Sequence, residues 1–290
     1  MHSAHRIVRT TKSQQRRVAS VLSKNDVDML RIWDRAAAFF RQRYLTNGQK
    51  VFQFKDLAFR EVYGELIEQT IRLVSSHPNV LKTDLWNEGV EDGRSLAQYA
   101  QPRGSDSGPV CVDVSKYVCE SATRLQTSNF QPIRATLLAP PFRAAFDLVL
   151  DVSTVDHMPE SLRKVWLSSE ASVLKPGGVL LISFDCRLNI FDEFYHRLFT
   201  RKLYPEWTLV PSDVRAQLIE RGFSIIREHA IFIAGFFWGA HRPIFPLAGL
   251  LRRKRVFKFF TDMELSKHSR WLSFVAPQYV IVARKSPDRM

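Results

Sequence analysis

Val179-Leu180-Leu181-Ile182-Ser183-Phe184 is a six-residue, almost wholly apolar run entered through Lys175-Pro176-Gly177-Gly178. A run this short and apolar reads as a strand buried on both faces. The proline and two glycines end the helical pattern before it, which spans Ser161–Leu174. The same alternation recurs along the chain. Val80-Leu81 begins a short strand. Val110–Ser115 is a β-branched strand followed by a helical pattern over Tyr117–Leu125, and Phe146–Val152 is a second buried strand. Val214–Arg221 reads as a helix closed by Gly222, Phe223–Ile231 as a strand, and Gln278–Ala283 as a final strand. Short apolar strands alternating with helices predict an α/β fold with a parallel, doubly wound sheet. With 45% hydrophobic and 12% aromatic residues there is apolar material for a substantial core, which excludes wholesale disorder.

Three further regions are set off from that body. Residues 1–25 read as a basic flexible arm, 26–78 as an N-terminal helical region, and 79–290 as the α/β domain. Within the last, 234–277 forms a lid-like insertion before the final strand. The formal net charge of +13 divides along these lines. The arm carries six Lys/Arg and no acid, and 241–275 carries eight against Asp262 and Glu264, while 26–240 is nearly neutral. The body therefore lacks the basic face of a protein built around a nucleic acid duplex, and nucleic acid is the least favoured partner. The stretch 231–260 joins Phe232, Phe236, Phe237, Trp238, Phe245 and Leu250 to Arg252-Arg253-Lys254-Arg255. Arg242, Pro243 and Pro246 interrupt it, so a spanning helix is not expected. Aromatic bulk beside a basic cluster suits either contact with an anionic membrane surface or a lid packed over a cleft.

Cys111, Cys119 and Cys186 show no metal-ligand spacing and no disulfide framework. They read as reduced thiols of a cytoplasmic protein, peripheral at the membrane if 231–260 engages lipid. The histidines show no paired spacing, so no metal is expected, and no phosphate-cradling or nucleophile-elbow motif is present.

Ser172–Ser183, containing Leu174-Lys175-Pro176-Gly177-Gly178, resembles the helix–turn–strand that precedes the fifth strand of class I S-adenosylmethionine-dependent methyltransferases of the type 11 kind. Pro141-Phe142, Phe146-Asp147-Leu148-Val149 and Asp156-His157-Met158 are similar to that family's fourth strand and its exit into the cleft. Cys111-Val112-Asp113-Val114-Ser115 is similar to its second strand. The resemblance covers roughly 79–285. It implies a Rossmann-like sheet, S-adenosyl-L-methionine as cofactor, and a transferase activity. Asp113 is implied as the carboxylate that accepts from both ribose hydroxyls, with Val114 beside it and Asp151 in the fourth strand also at the cofactor.

Two departures stand out. Where the family has an acid and a glycine-rich turn after the first strand, this chain reads Lys82-Thr83-Asp84-Leu85-Trp86-Asn87-Glu88-Gly89. Lys82 falls at the acid and Asp84 at the first glycine. Asp84 or Glu88 then becomes the candidate for the methionine ammonium, with Gly89 nearby; the alternative is a capped strand–helix junction that no longer binds cofactor. Thr136 falls where an acid often meets the adenine amino group. At the rim, His157 with Asp156 is the candidate general base, and Asp185, Arg187 and Asn189 are candidates to hold substrate. The expected function is O-methylation of a small-molecule or lipid-linked acceptor. The alternatives are a non-catalytic methyltransferase-like scaffold and, third, a nucleic-acid methyltransferase.

Overall fold

The computed structural model describes residues 32–39, 41–42, 59–90, 96–101, 108–125, 129–136, 138–189, 207–233, 254–266 and 268–287. The basic arm and the first part of the insertion, 234–253, lie outside the described residues. The helical residues 32–39 and 41–42 form α1, and 59–71 form α2. The α/β body then runs β1 Val80–Lys82, α3 Trp86–Gly89, β2 Val110–Asp113, α4 Lys116–Leu125, β3 Gln131–Arg134 and β4 Phe146–Val152. A 3-10 turn at Val155–His157 leads into α5 Glu160–Val173 and β5 Leu174–Asp185. After these come α6 Pro211–Glu220, β6 Phe223–Ile231, α7 Lys254–Glu264, a second 3-10 turn Ser269–Leu272, and β7 Gln278–Lys285.

The seven strands form one sheet in the order β3-β2-β1-β4-β5-β7-β6. All neighbours pair in parallel except β7, which runs antiparallel to both β5 and β6. Alternate residues of the central strands therefore feed two cores. Val149, Leu180, Ile182 and Ile281 pack with Trp166 and Leu167 of α5 and Leu218 of α6 on one face. Leu148, Leu150, Leu181 and Val280 pack with Val62, Tyr63, Leu66 and Ile67 of α2 on the other. A third cluster joins Ala37 of α1 to Leu85, Cys111, Val118 and Ala122.

Two local outcomes differ from the sequence reading. Lys175-Pro176-Gly177-Gly178 is part of β5 rather than a turn before it. The strand opens at Leu174 against Phe146, and the register shifts before Leu148 pairs Val179. Gly177 takes φ 76° there, a conformation glycine adopts without a Cβ penalty. The edge strand β3 carries Pro132 and exposed ends, and no apolar run announces it.

Candidate functional site

The C-terminal ends of β1, β2 and β4 lie side by side, the edge at which open α/β sheets bind ligands. Lys82 ends β1 fully buried, and its ammonium donates to the Asp84 carbonyl at 2.8 Å, to Asp84 Oδ1 at 3.0 Å and to Glu88 Oε2 at 3.1 Å. All three of its protons are used. Burial pushes the Lys82 pKa down, but Asp84 and Glu88 outweigh it and leave the ammonium above its ordinary value.

Glu88 is engaged within the protein on both oxygens. Its Oε1 accepts from the amides of Leu96 at 2.9 Å and Ala97 at 3.0 Å, and its side chain is buried. Its place is that of a clamp on the chain after α3. Asp84 differs. Its Oδ1 accepts from Lys82 and from the Trp86 amide at 3.0 Å, while Oδ2 faces the Thr154 hydroxyl 3.5 Å away, beyond the end of β4. The sum of Lys82, Asp84 and Glu88 is one negative charge, and Asp84 brings it to the cleft.

Asp113 sits where the sequence placed it, at the end of β2. Oδ1 accepts from the Ser115 amide at 2.8 Å and Oδ2 from the Leu85 amide at 3.0 Å, so one carboxylate ties the β1 exit to the β2 exit. Each oxygen keeps a second lone pair. Burial raises the Asp113 pKa to about 7, with the two amides pulling the other way. Val114 is half-buried beside it and accepts from Arg134 Nε at 3.3 Å. Thr136 is turned to its own backbone, its hydroxyl accepting from the Leu138 amide at 3.1 Å.

Gly89 acts in packing. A Cβ there would lie 2.6 Å from the Val118 carbonyl oxygen, so only glycine lets α3 close on α4. Gly89→Ala is expected to destabilise the protein by about 1–3 kcal/mol, read by thermal unfolding; an unchanged midpoint would contradict this packing.

Asp151, in the fourth strand, has structural partners. It is fully buried and directed away from the cleft into the α5 interface, accepting from Trp166 Nε1 at 2.8 Å and from the Thr154 amide at 3.0 Å. Glu170 of α5 is buried with it. Burial, then the neighbouring Asp151, holds Glu170 well above the usual carboxylate range. As a carboxylate Glu170 would set a second buried charge beside Asp151; as a neutral acid it can donate to Asp151.

Past β4, Asp156 is buried, with Oδ2 accepting from the Asp185 amide at 2.8 Å and Oδ1 4.0 Å from His157 Nε2. His157 is half-buried at the cleft mouth, its ring centroid 4.7 Å from that of Trp33 on α1. Trp33 also meets Trp86, edge to face at 6.0 Å, so α1 bridges the exits of β1 and β4. Asp34 fixes the same helix to the β2 exit by accepting from the Ser115 hydroxyl and the Tyr117 amide.

The three expected substrate residues separate. Asp185 is buried, its Oδ1 accepting from Gln278 Nε2 at 3.0 Å. Arg187 is exposed at the rim. Asn189 is fully buried and donates to the Val275 carbonyl at 3.1 Å, so it pins the insertion and is closed to substrate. A network missed from the sequence lies beneath Asp185. Gln278 donates to Ser153 Oγ at 3.0 Å and accepts from the Tyr63 hydroxyl at 2.8 Å, which also lies 2.8 Å from Ser183 Oγ. Ser183 Oγ accepts from the Ser153 amide at 3.0 Å, and Ser153 is held at φ 55°. Tyr63 sits inside the periodic apolar face of α2, where its hydroxyl gives no separate signal.

Among the described residues no group of His, Cys, Asp and Glu is placed to hold a metal ion, and no helix is long and apolar enough to cross a membrane.

Comparison with known proteins bears on this architecture. Residues 78–182 match the family model described as a methyltransferase domain. No curated protein matches the chain by sequence. An S-adenosylmethionine-dependent methyltransferase from Thermotoga maritima is similar in fold, with a TM-score of 0.54 at 14% identity, covering 89% of this chain and 100% of that one. An S-adenosylmethionine-dependent methyltransferase from Mesorhizobium loti follows at a TM-score of 0.51 and 12% identity, covering 76% of this chain and 96% of that one. Residues 78–182 thus resemble a methyltransferase domain, and the strand order with its single antiparallel strand gives the α/β body the fold of these S-adenosylmethionine-dependent methyltransferase structures.

Proposed function

We propose that the protein binds S-adenosyl-L-methionine and transfers its methyl group to an oxygen of a small-molecule or lipid-linked acceptor, in the cytoplasm. The observation that carries this reading is the pair of carboxylates at neighbouring strand ends, Asp113 after β2 and Asp84 after β1. Their chemistry fits the two polar ends of the cofactor. Asp113 retains lone pairs for two ribose hydroxyls, and Asp84 Oδ2 offers an anionic acceptor for the ammonium. When bound, the cofactor supplies an electrophilic methyl on a sulfonium. His157 stands at the same mouth to take the proton of an acceptor hydroxyl, and Asp156 backs its imidazole. Trp33 and Trp86 supply apolar walls that keep water from the mouth.

Isothermal titration with S-adenosylmethionine tests the reading. With Asp113 titrating at about 7, ionisation favours ribose binding, and affinity is expected to rise roughly tenfold from pH 6 to pH 8. No heat at millimolar cofactor would sink the proposal. That result would favour a second reading, a non-catalytic scaffold, which the internal closure of Glu88 on Lys82 and the Trp33–His157 contact favour.

A further inference from the structure

The three most exposed large apolar residues among those described fall in one short stretch of chain. Phe259 is 62% exposed, Trp271 69% and Phe274 60%. None belongs to a loosely attached piece. Leu272 and Val275, on either side of Phe274, pack into the core beside the sheet, as does Met263 of α7. The Ser273 and Val275 carbonyls accept from Cys186 Sγ and Asn189 Nδ2, and the Glu264 carbonyl lies 3.2 Å from buried His229 Nδ1. The backbone is thus fixed with these rings turned to solvent.

The charges around them have one sign in excess. Arg255, Lys258, Phe259 and Asp262 recur at three- and four-residue steps and form the exposed stripe of α7, with Lys258 paired to Asp262 at 3.0 Å. Arg270 is exposed and lies over the Trp271 ring at 5.1 Å from its centroid. Among Arg255, Lys258, Asp262 and Arg270, the exposed charged residues described between 255 and 274, three are cations and one is an acid. The layout along α7 is also the reverse of what a helix prefers. Lys254 and Arg255 stand in its first turn with no acid, and Asp262 and Glu264 lie toward its end with no base in the last turn. The macrodipole favours anions at the first end and cations at the second. An external layer of negative charge offsets the crowding of cations at the helix start.

We propose that this face, Arg255, Lys258 and Phe259 of α7 with Arg270, Trp271 and Phe274, docks the protein on an anionic lipid bilayer. The rings enter the headgroup boundary, where an indole beside a guanidinium is well placed, and the cations meet lipid phosphate and carboxylate. The proposal does not rest on methyl transfer. It keeps the end of the expected stretch 231–260, at Arg255, Lys258 and Phe259, and extends the contact to Phe274.

Flotation of the full chain with vesicles tests it. Phosphatidylcholine containing one third phosphatidylserine is expected to carry the protein at low salt, and pure phosphatidylcholine to carry much less. Raising the salt should weaken the anionic binding. Phe259→Ala, Trp271→Ala and Phe274→Ala together are expected to lower partitioning by about tenfold or more, with thermal unfolding unchanged because the side chains are exposed. Arg255→Ala should lower it about fivefold. No flotation with the phosphatidylserine vesicles would overturn the proposal. So would a triple variant that floats like the parent, or one whose only change is loss of self-association, which would make the face an interface between copies.

Discussion

Lys82→Met is expected to lower the free energy of unfolding by about 3–5 kcal/mol, measured by urea denaturation at neutral pH. The substitution keeps most of the side-chain volume and removes the charge with its three hydrogen bonds. What it leaves is Glu88, buried and still clamped to the Leu96 and Ala97 amides, with no cation to balance it. Asp84 keeps the Trp86 amide and some access to water, and suffers less. The cost should therefore be concentrated on Glu88, and Lys82→Met with Glu88→Gln should recover more than half of it. A loss under about 1 kcal/mol for the single variant would mean that the buried pair contributes little.

Asp151→Ala is expected to cost about as much, again about 3–5 kcal/mol, because three buried donors lose their acceptor together. These are the Trp166 indole, the Thr154 amide and the protonated Glu170. Thr154 begins the turn that carries Asp156 and His157, so activity should fall beyond what stability alone explains. Glu170→Gln should be mild, since an amide donates where the neutral acid did. The pH dependence separates the two roles. Glu170 is raised from its ordinary 4.5, so the stability it contributes is fully present below that value and is lost as pH rises toward its folded pKa. Glu170→Gln removes that loss and should gain on the parent as pH rises from about 4.5 to neutrality. A constant difference across this range would show that Glu170 does not titrate as placed.

These two sites show what local sequence carries. Phe146–Val152 and Phe223–Ile231 form strands with the expected bounds: the first is buried almost throughout and rich in apolar residues, and the second is an edge strand set off by Gly222. Asp113 was legible for a related reason: an acid that ends an apolar run falls at the ligand edge of the sheet. Lys82 and Glu88 were visible as a departure from the family's turn, but not as partners. Their pairing depends on side chains folding back across α3, which no spacing rule encodes. The partners of Asp151 were not legible, because strand periodicity gives a residue's row but not which core lies behind it, and its neighbour Glu170 is supplied by a different element. The Tyr63, Ser153, Ser183 and Gln278 network joins four separated segments, so only the assembled sheet brings it together.

The direction of β7 has a further consequence. Because β7 runs against β6, the chain leaves the sheet at Ile231 and re-enters at Gln278 in the same row, with Asp185 of β5 next to it. Everything between is tethered twice to the rim that holds the cleft. A bilayer gripped by that excursion would lie on the cleft's side of the molecule. A lipid-linked acceptor would then arrive sideways, by diffusion within a plane, and would never cross open water. Encounter would be set by its density per unit of lipid area, so turnover should follow its mole fraction in the vesicle and stay indifferent to how far the suspension is diluted.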